Sequence, residues 1–359
     1  MTVKDNISAP RRGALILPGK EEPVALASLG CRFPALDLLR VVAILAVITS
    51  HTLPGEMQAR LWKDFAGNVS LGALFILSGA LLLPVAEPAA LFIRKRLKRV
   101  FVPLAVWSVV YATVYYLQGE RTLLETAKSF RDILFRSTFP PGWFCYAIGG
   151  IYLFAPVISP WLRQAGRRQI EAYLLLWLVS LNIPYFGITT DIGSGLFAMF
   201  YNCMGYCVAG VYLVYHAIPR PPSWKLWLPA LLLVTAYPLY TRVHNGWQAY
   251  SDAFYTTPNC AEAAIGVPMF ILFWKMFGGW RQVAMRPKGA ARVLDRILRE
   301  LSLDSFGVYL IHWLFVFHIL YPCFPGWHPS WATYFLTLAV CFPAAALLRR
   351  IPKIGPCLM

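Results

Sequence analysis

In the stretch LDLLRVVAILAVITSH, residues 36–51, an arginine (Arg40) and a histidine (His51) stand eleven positions apart in a run otherwise almost wholly of Leu, Val, Ile and Ala. Ionisable side chains are costly in hydrocarbon, so these residues either mark the edges of the apolar run or have chemical work to do. On a helix, eleven steps of 100° bring His51 to within about 20° of Arg40, and the rise per residue sets them about 16 Å apart. The two share a face at opposite depths. An imidazole with an ordinary pKa of about 6.5 can take a proton near neutrality, or carry a group covalently. A guanidinium suits a donor carbonyl or phosphate, and Asp37, three residues earlier, is placed to pair with it. The plainer reading keeps a snorkelling arginine, an interfacial histidine and a helix-starting aspartate.

Two further groups have chemical potential. Ser305, Tyr309 and His312 fall at i, i+4 and i+7, a polar stripe that belongs inside a helical bundle, as a tunnel lining or as an interhelical hydrogen-bond seam. Arg94, Lys95, Arg96, Lys98 and Arg99 form a basic cluster suited to gripping phosphates, and equally to anchoring at an anionic lipid surface. Ser78 and Trp143 read as a small residue for close helix packing and an interfacial anchor. His216, His244, His318 and His328 receive no role. No His, Cys, Asp or Glu cluster has metal spacing, and no glycine-rich phosphate loop is present. Cys203 and Cys207 lie four apart as core fillers, and Cys260 with Cys323 is the one pair that could meet in an outer loop, the less favoured reading.

The elements that must position these residues follow from composition. The chain has 359 residues, 58% hydrophobic and 14% charged, with a mean hydropathy of +0.55. A soluble domain carries about a quarter charged residues. Apolar runs of bilayer-crossing length fall at about 36–53, 69–86, 100–117, 143–163, 170–188, 195–215, 225–240, 260–278, 304–321 and 329–348, so the expected fold is all-α, a polytopic membrane protein of about ten transmembrane helices. Residues 1–34 form a polar, Pro- and Gly-rich tail without a run resembling a cleavable signal, 35–350 the membrane domain, and 351–359 a short C-terminal tail.

The net charge of +16 is a topology signal rather than a mark of nucleic-acid binding. Sorted by alternate loops, 25 of the 33 Lys and Arg residues fall on one side and seven on the other, with Arg40 inside helix 1. This bias puts both termini in the cytoplasm, with Arg40 inward and His51 near the outer surface. Residues 121–136 have the spacing of an amphipathic surface helix, and 241–259 read as a polar, aromatic lip over a polar substrate. Val293, Leu294, Ile297, Leu298 and Leu301 stripe an interfacial helix leading into the ninth span.

The order of these motifs resembles the acyltransferase-3 family, membrane O-acyltransferases of bacterial surface polysaccharides. The basic residue, ten intervening positions and histidine in the first helix are similar to its signature. LGALFILSGALLL (71–83) resembles its second helix, Ser78-Gly79 matching its SGF although Ala80 replaces the Phe. FIRKRLKRVFVPL (92–104) is similar to its basic loop, with Arg96 and Arg99 as the RxxR pair. Trp143-Phe144 and SFGVYLIH (305–312) resemble later elements. The resemblance implies a protein of the bacterial inner membrane, with acyl-CoA, most simply acetyl-CoA, as cytoplasmic donor substrate and no bound cofactor. The acceptor would be a hydroxyl of a cell-surface glycan or its lipid-linked precursor. His51 would act as base or transient acyl carrier, Arg40 would position the donor and Arg96 and Arg99 would hold CoA phosphates. Membrane lipids and polysaccharide biosynthesis proteins are the implied partners. The rival expectation is a polysaccharide export component, whose translocation path the same polar residues would line.

Overall fold

Pro34 at the first helical turn and Asp37 behind it favour a helix start, and the apolar run that follows carries α1 from Pro34 to Thr52. A computed structural model describes residues 23–29, 32–54, 57–133, 137–182, 200–219, 260–276, 289–352 and 355–358. Among these the chain is all-helical, with no strand. After α1 come α2 (Met57–Leu82), α3 (Ala89–Leu117), α4 (Leu123–Asp132), α5 (Trp143–Gln164) and α6 (Arg167–Asn182). Then follow α7 (Met204–Tyr212), α8 (Cys260–Met276), α9 (Ala290–Trp313), α10 (Trp331–Arg349) and the short α11 (Gly355–Leu358).

Buried positions surround α1: Leu36, Leu39, Val41, Ala43, Ile44, Val47 and Ile48 point to more than one side. A helix apolar all round belongs in the interior, and α1 packs against α2, α8, α9 and α10. The backbones approach closely because small residues line the contacts. A Cβ at Gly79 of α2 would collide with the backbone of Cys207 on α7, and one at Gly72 with that of Glu262 on α8. Without an aqueous hydrophobic drive between helices, this close packing is what holds such a bundle.

Five segments are long and apolar enough to cross a membrane: Pro34–Thr52, Ala89–Leu117, Pro140–Gln164, Ala290–Cys323 and Trp331–Arg349. They match the expected first, third, fourth, ninth and tenth spans. The full count of ten is not reached among the described residues. The second run is apolar over Ser70–Leu82 within the longer α2, α8 is described over 17 residues, and the runs at 170–188 and 195–215 are described as α6 and as α7 with the π-helical Leu213–Ala217 that follows it. The run at 225–240 and the lip at 241–259 lie outside the described residues.

The interfacial helix expected before the ninth span is instead the beginning of α9 itself. No proline interrupts 290–313, so the hydrogen-bond ladder continues, and the helix passes through a widened π-helical stretch, Leu314–Leu320, to Cys323. Its 34 residues span about 51 Å against about 30 Å of hydrocarbon, so the helix is longer than a bilayer core is thick. Val293, Leu294 and Ile297 in its first turns are exposed. The surface helix expected within 121–136 is α4, opened by a reciprocal cap in which Thr122 accepts from the Glu125 N–H while the Glu125 carboxylate accepts from the Thr122 N–H.

Candidate functional site

Two polar clusters lie at opposite ends of the α1–α9 pair. At one end, His51 on the last turn of α1 meets His312 on α9. The rings stack 5.1 Å apart at 12°, with Nδ1 of His51 2.9 Å from Nε2 of His312. Nδ1 of His312 lies 2.7 Å from the Tyr309 carbonyl oxygen. A carbonyl only accepts, so His312 carries its hydrogen on Nδ1 and offers a lone pair at Nε2. His51 must then donate from Nδ1, which leaves its own Nε2 free to accept. The hydrogen-bond network thus assigns a base nitrogen to His51, and protonating that nitrogen breaks none of the bonds that orient the ring. His312 is fully buried, whereas His51 keeps partial access to solvent.

The surroundings fix this geometry. Trp313 presents an edge contact to His51, with centroids 5.2 Å apart at 88°. The Ser330 N–H donates to the Thr52 carbonyl at 2.9 Å, tying the start of α10 to the turn that carries His51. Tyr309 donates to the Pro141 carbonyl, in the turn that opens α5 at Trp143. Trp143 itself is 39% exposed, and its neighbour Phe144 lies 5.7 Å from Tyr309. Lys63 on α2 is within electrostatic reach of His51.

At the other end, Asp37 is shared. It accepts from Arg32 at 2.5 Å, from Ser302 at 2.8 Å and from Arg40 at 3.3 Å, while Arg40 also donates to Ser302 at 2.7 Å. Arg32 continues with two 2.7 Å bonds to Asp295 on the first turns of α9. Arg40 has no other hydrogen-bond partner among the described residues, so part of its fork remains available. Arg99 and Tyr152 lie within its electrostatic reach, and Tyr152 interacts with Arg96 and Arg99 as well. Among the described residues neither Arg96 nor Arg99 pairs with a carboxylate; Arg96 rests over the Phe92 ring at 5.6 Å, whereas Lys95 is held by Glu87. Tyr152 of α5 thus stands within electrostatic reach of Arg40 from α1 and of Arg96 and Arg99 from α3, and among the described residues Asp37 is the carboxylate that pairs with Arg40, an arrangement that suits a phosphorylated or otherwise anionic ligand.

The polar stripe of α9 divides. His312 joins His51, Tyr309 anchors the loop before α5, and Ser305 bonds back to the Ser302 carbonyl at 2.7 Å within its own helix. Ser78 likewise bonds the Leu74 carbonyl at 2.7 Å, and its neighbour Gly79 makes the close approach to α7. Cys207 is buried against the Phe75 carbonyl, and Cys323 is an exposed free thiol. Sequence reasoning missed Ser302, although 302, 305, 309 and 312 form one stripe. It also missed Arg32, Asp295, Tyr152, Trp313 and Lys63, whose roles depend on which helices meet. No group of three His, Cys, Asp or Glu among the described residues is arranged for a metal ion.

Residues 33–350 match a family model described as an acyltransferase domain, the acyltransferase-3 type, which covers nearly the whole chain and both clusters save Arg32. No curated protein and no solved structure matches the chain.

Proposed function

Since the chain belongs to the acyltransferase-3 family, whose domain suggests a membrane acyltransferase, we propose that it moves an acyl group, acetyl in the simplest case, from cytoplasmic acyl-CoA to a hydroxyl of a surface glycan or its lipid-linked precursor. The observation that carries this reading is the His51–His312 pair, which presents one unprotonated nitrogen of His51. That nitrogen takes the proton of the acceptor hydroxyl as its oxygen bonds to the thioester carbon. The tetrahedral intermediate collapses, the carbon–sulfur bond breaks, and the imidazolium returns the proton to the CoA thiolate. Transient acylation of His51 divides the same transfer into two steps.

The second cluster supports a CoA donor. Acyl-CoA carries its phosphates and its thioester at opposite ends of a flexible pantetheine arm. Arg96 and Arg99 grip the phosphates, and Arg40, within electrostatic reach of Arg99, stands about 16 Å along α1 from His51. The positive-inside bias assigns the arginine end to the cytoplasm and both termini with it. A bacterial inner-membrane location, the glycan acceptor and partnership with polysaccharide biosynthesis proteins are part of the proposal and rest on family membership.

The test uses protein purified into lipid vesicles and supplied with radiolabelled acetyl-CoA. Label reaching an added glycan acceptor, with one free CoA released per transfer, is the expected result. Folded wild-type protein that neither binds nor consumes any of several acyl-CoAs would overturn the reading and favour export, which releases no CoA.

A further inference from the structure

Just beyond His312, α9 widens into its π-helical stretch, and a side chain from another helix stands in its hydrogen-bond ladder there. In an uninterrupted α-helix the Leu314 N–H would donate to the Leu310 carbonyl. Here the Tyr111 hydroxyl of α3 stands between them. It accepts from the Leu314 N–H at 2.8 Å and donates to the Leu310 carbonyl at 2.9 Å, while the Leu314 N–H also turns to the Ile311 carbonyl. A side chain inserted into the ladder is a recognised cause of such a distortion, and π-bulges gather at functional sites. The residues bracketed by this wedge include His312 and Trp313, the two that contact the His51 ring.

Tyr111 is itself rigidly held. It is fully buried and stacks on Phe139 at 4.1 Å and 10°, with Trp107 and Tyr115 on either side along α3. Phe139 belongs to the loop whose Pro141 carbonyl receives the Tyr309 hydroxyl. The loop before α5 is therefore fixed from α3 and from α9, and both attachments lie within a turn of His312.

We propose that Tyr111 is a positioning residue for acyl transfer: its hydroxyl holds α9 open between Leu310 and Leu314 and thereby sets the orientation of His312 against His51. The inference rests on the acyl-transfer reading above for its kinetic consequence, but not for its structural one. Without the hydroxyl, the ladder closes from Leu314 to Leu310, the turn narrows, and His312 and Trp313 rotate relative to α1. Arg40 lies about 16 Å along α1 from His51, and Arg96 and Arg99 lie at least three turns before Tyr111 on α3, so they do not sense the change.

Tyr111→Phe removes only the oxygen. In vesicles, kcat is expected to fall on the order of 10-fold to 100-fold, as for a small misplacement of a reacting group, with acetyl-CoA affinity unchanged. In protein carrying 15N-histidine, the ring-nitrogen shifts assigned to His51 and His312 should move. Tyr215→Phe, which also removes one tyrosine hydrogen bond, to the Val24 carbonyl, should change neither readout. Unaltered shifts and kcat in folded Tyr111→Phe would overturn the proposal. The shifts decide the matter even if the wild type transfers no acyl group, so failure of this inference is separable from failure of the functional reading. Should Tyr111→Phe not fold, 4-fluorophenylalanine at position 111 fills the hydroxyl's space but donates nothing to the Leu310 carbonyl. Histidine shifts that match the wild type in that protein would count equally against the role.

Discussion

The two ends of the α1–α9 pair are built from opposite materials. At the histidine end, two stacked imidazoles are oriented by a backbone carbonyl, with His312 completely buried. At the arginine end, charge is shared through a chain of ion pairs, Asp295–Arg32–Asp37–Arg40, with half-buried side chains. The first arrangement fixes which nitrogen carries hydrogen; the second fixes no proton but leaves cations beside one another. Directional hydrogen bonds in a dry site suit bond making and breaking. Long cations with solvent access suit holding an anion that must later leave. One helix carries both because Arg40 and His51 share its face.

The largest effect should come from the histidine end. His51→Ala is expected to lower kcat on the order of 10³-fold while acyl-CoA binding persists, as measured by label transfer alongside equilibrium binding. Equal loss of both would break the division of labour between the ends. His312→Ala frees the His51 ring to turn, and a fall on the order of 100-fold is expected in the same assay. A variant as active as wild type would show that His312 does not orient the base.

Smaller changes should come from the arginine end. Arg96→Ala and Arg99→Ala should each weaken acyl-CoA binding by roughly 10-fold, the worth of a charge-assisted hydrogen bond, and leave kcat at saturating donor nearly intact. The wild-type advantage should shrink as salt rises, because both side chains are solvent-accessible. A kcat effect without a binding effect would move these arginines into the chemical step.

The smallest expected effect concerns α4, at the surface near the histidine end. The Thr122 N–H, with the Thr122 hydroxyl, holds the Glu125 carboxyl below the usual carboxylate range. A depressed native value means that the cap contributes fully above the ordinary carboxylate pKa and is lost as pH falls through the lowered one. Protection against hydrogen exchange at the first turn of α4, referred to the intrinsic rate at each pH, should therefore fall in acid, and Glu125→Gln should flatten that response. A concurrent change in histidine shifts would show that α4 is coupled to the site.

Much of this was legible in the residues. Proline and aspartate mark the start of α1, eleven residues fix the common face of Arg40 and His51, and the i, i+4, i+7 pattern placed Tyr309 and His312 inside the bundle. Local periodicity carries such information because a helix repeats regardless of its neighbours. The continuity of α9 was less legible, since an amphipathic stripe looks the same on a separate surface helix and on the extended end of a span. The shared Asp37 was visible only as an i, i+3 pair, while Arg32 and Ser302 reach it from elsewhere in the chain.

The sequence alone determined that apolar helices would form and that His51 and Arg40 would face one way, because helix geometry and residue chemistry are local. Tertiary structure alone decided that His51 would find His312, that this contact leaves His51 with a free nitrogen, and that a tyrosine hydroxyl from α3 would open the turn beside it. Those facts depend on which helices meet and at what depth, and hydrogen bonds between residues some 200 to 260 positions apart leave no periodic trace in the sequence.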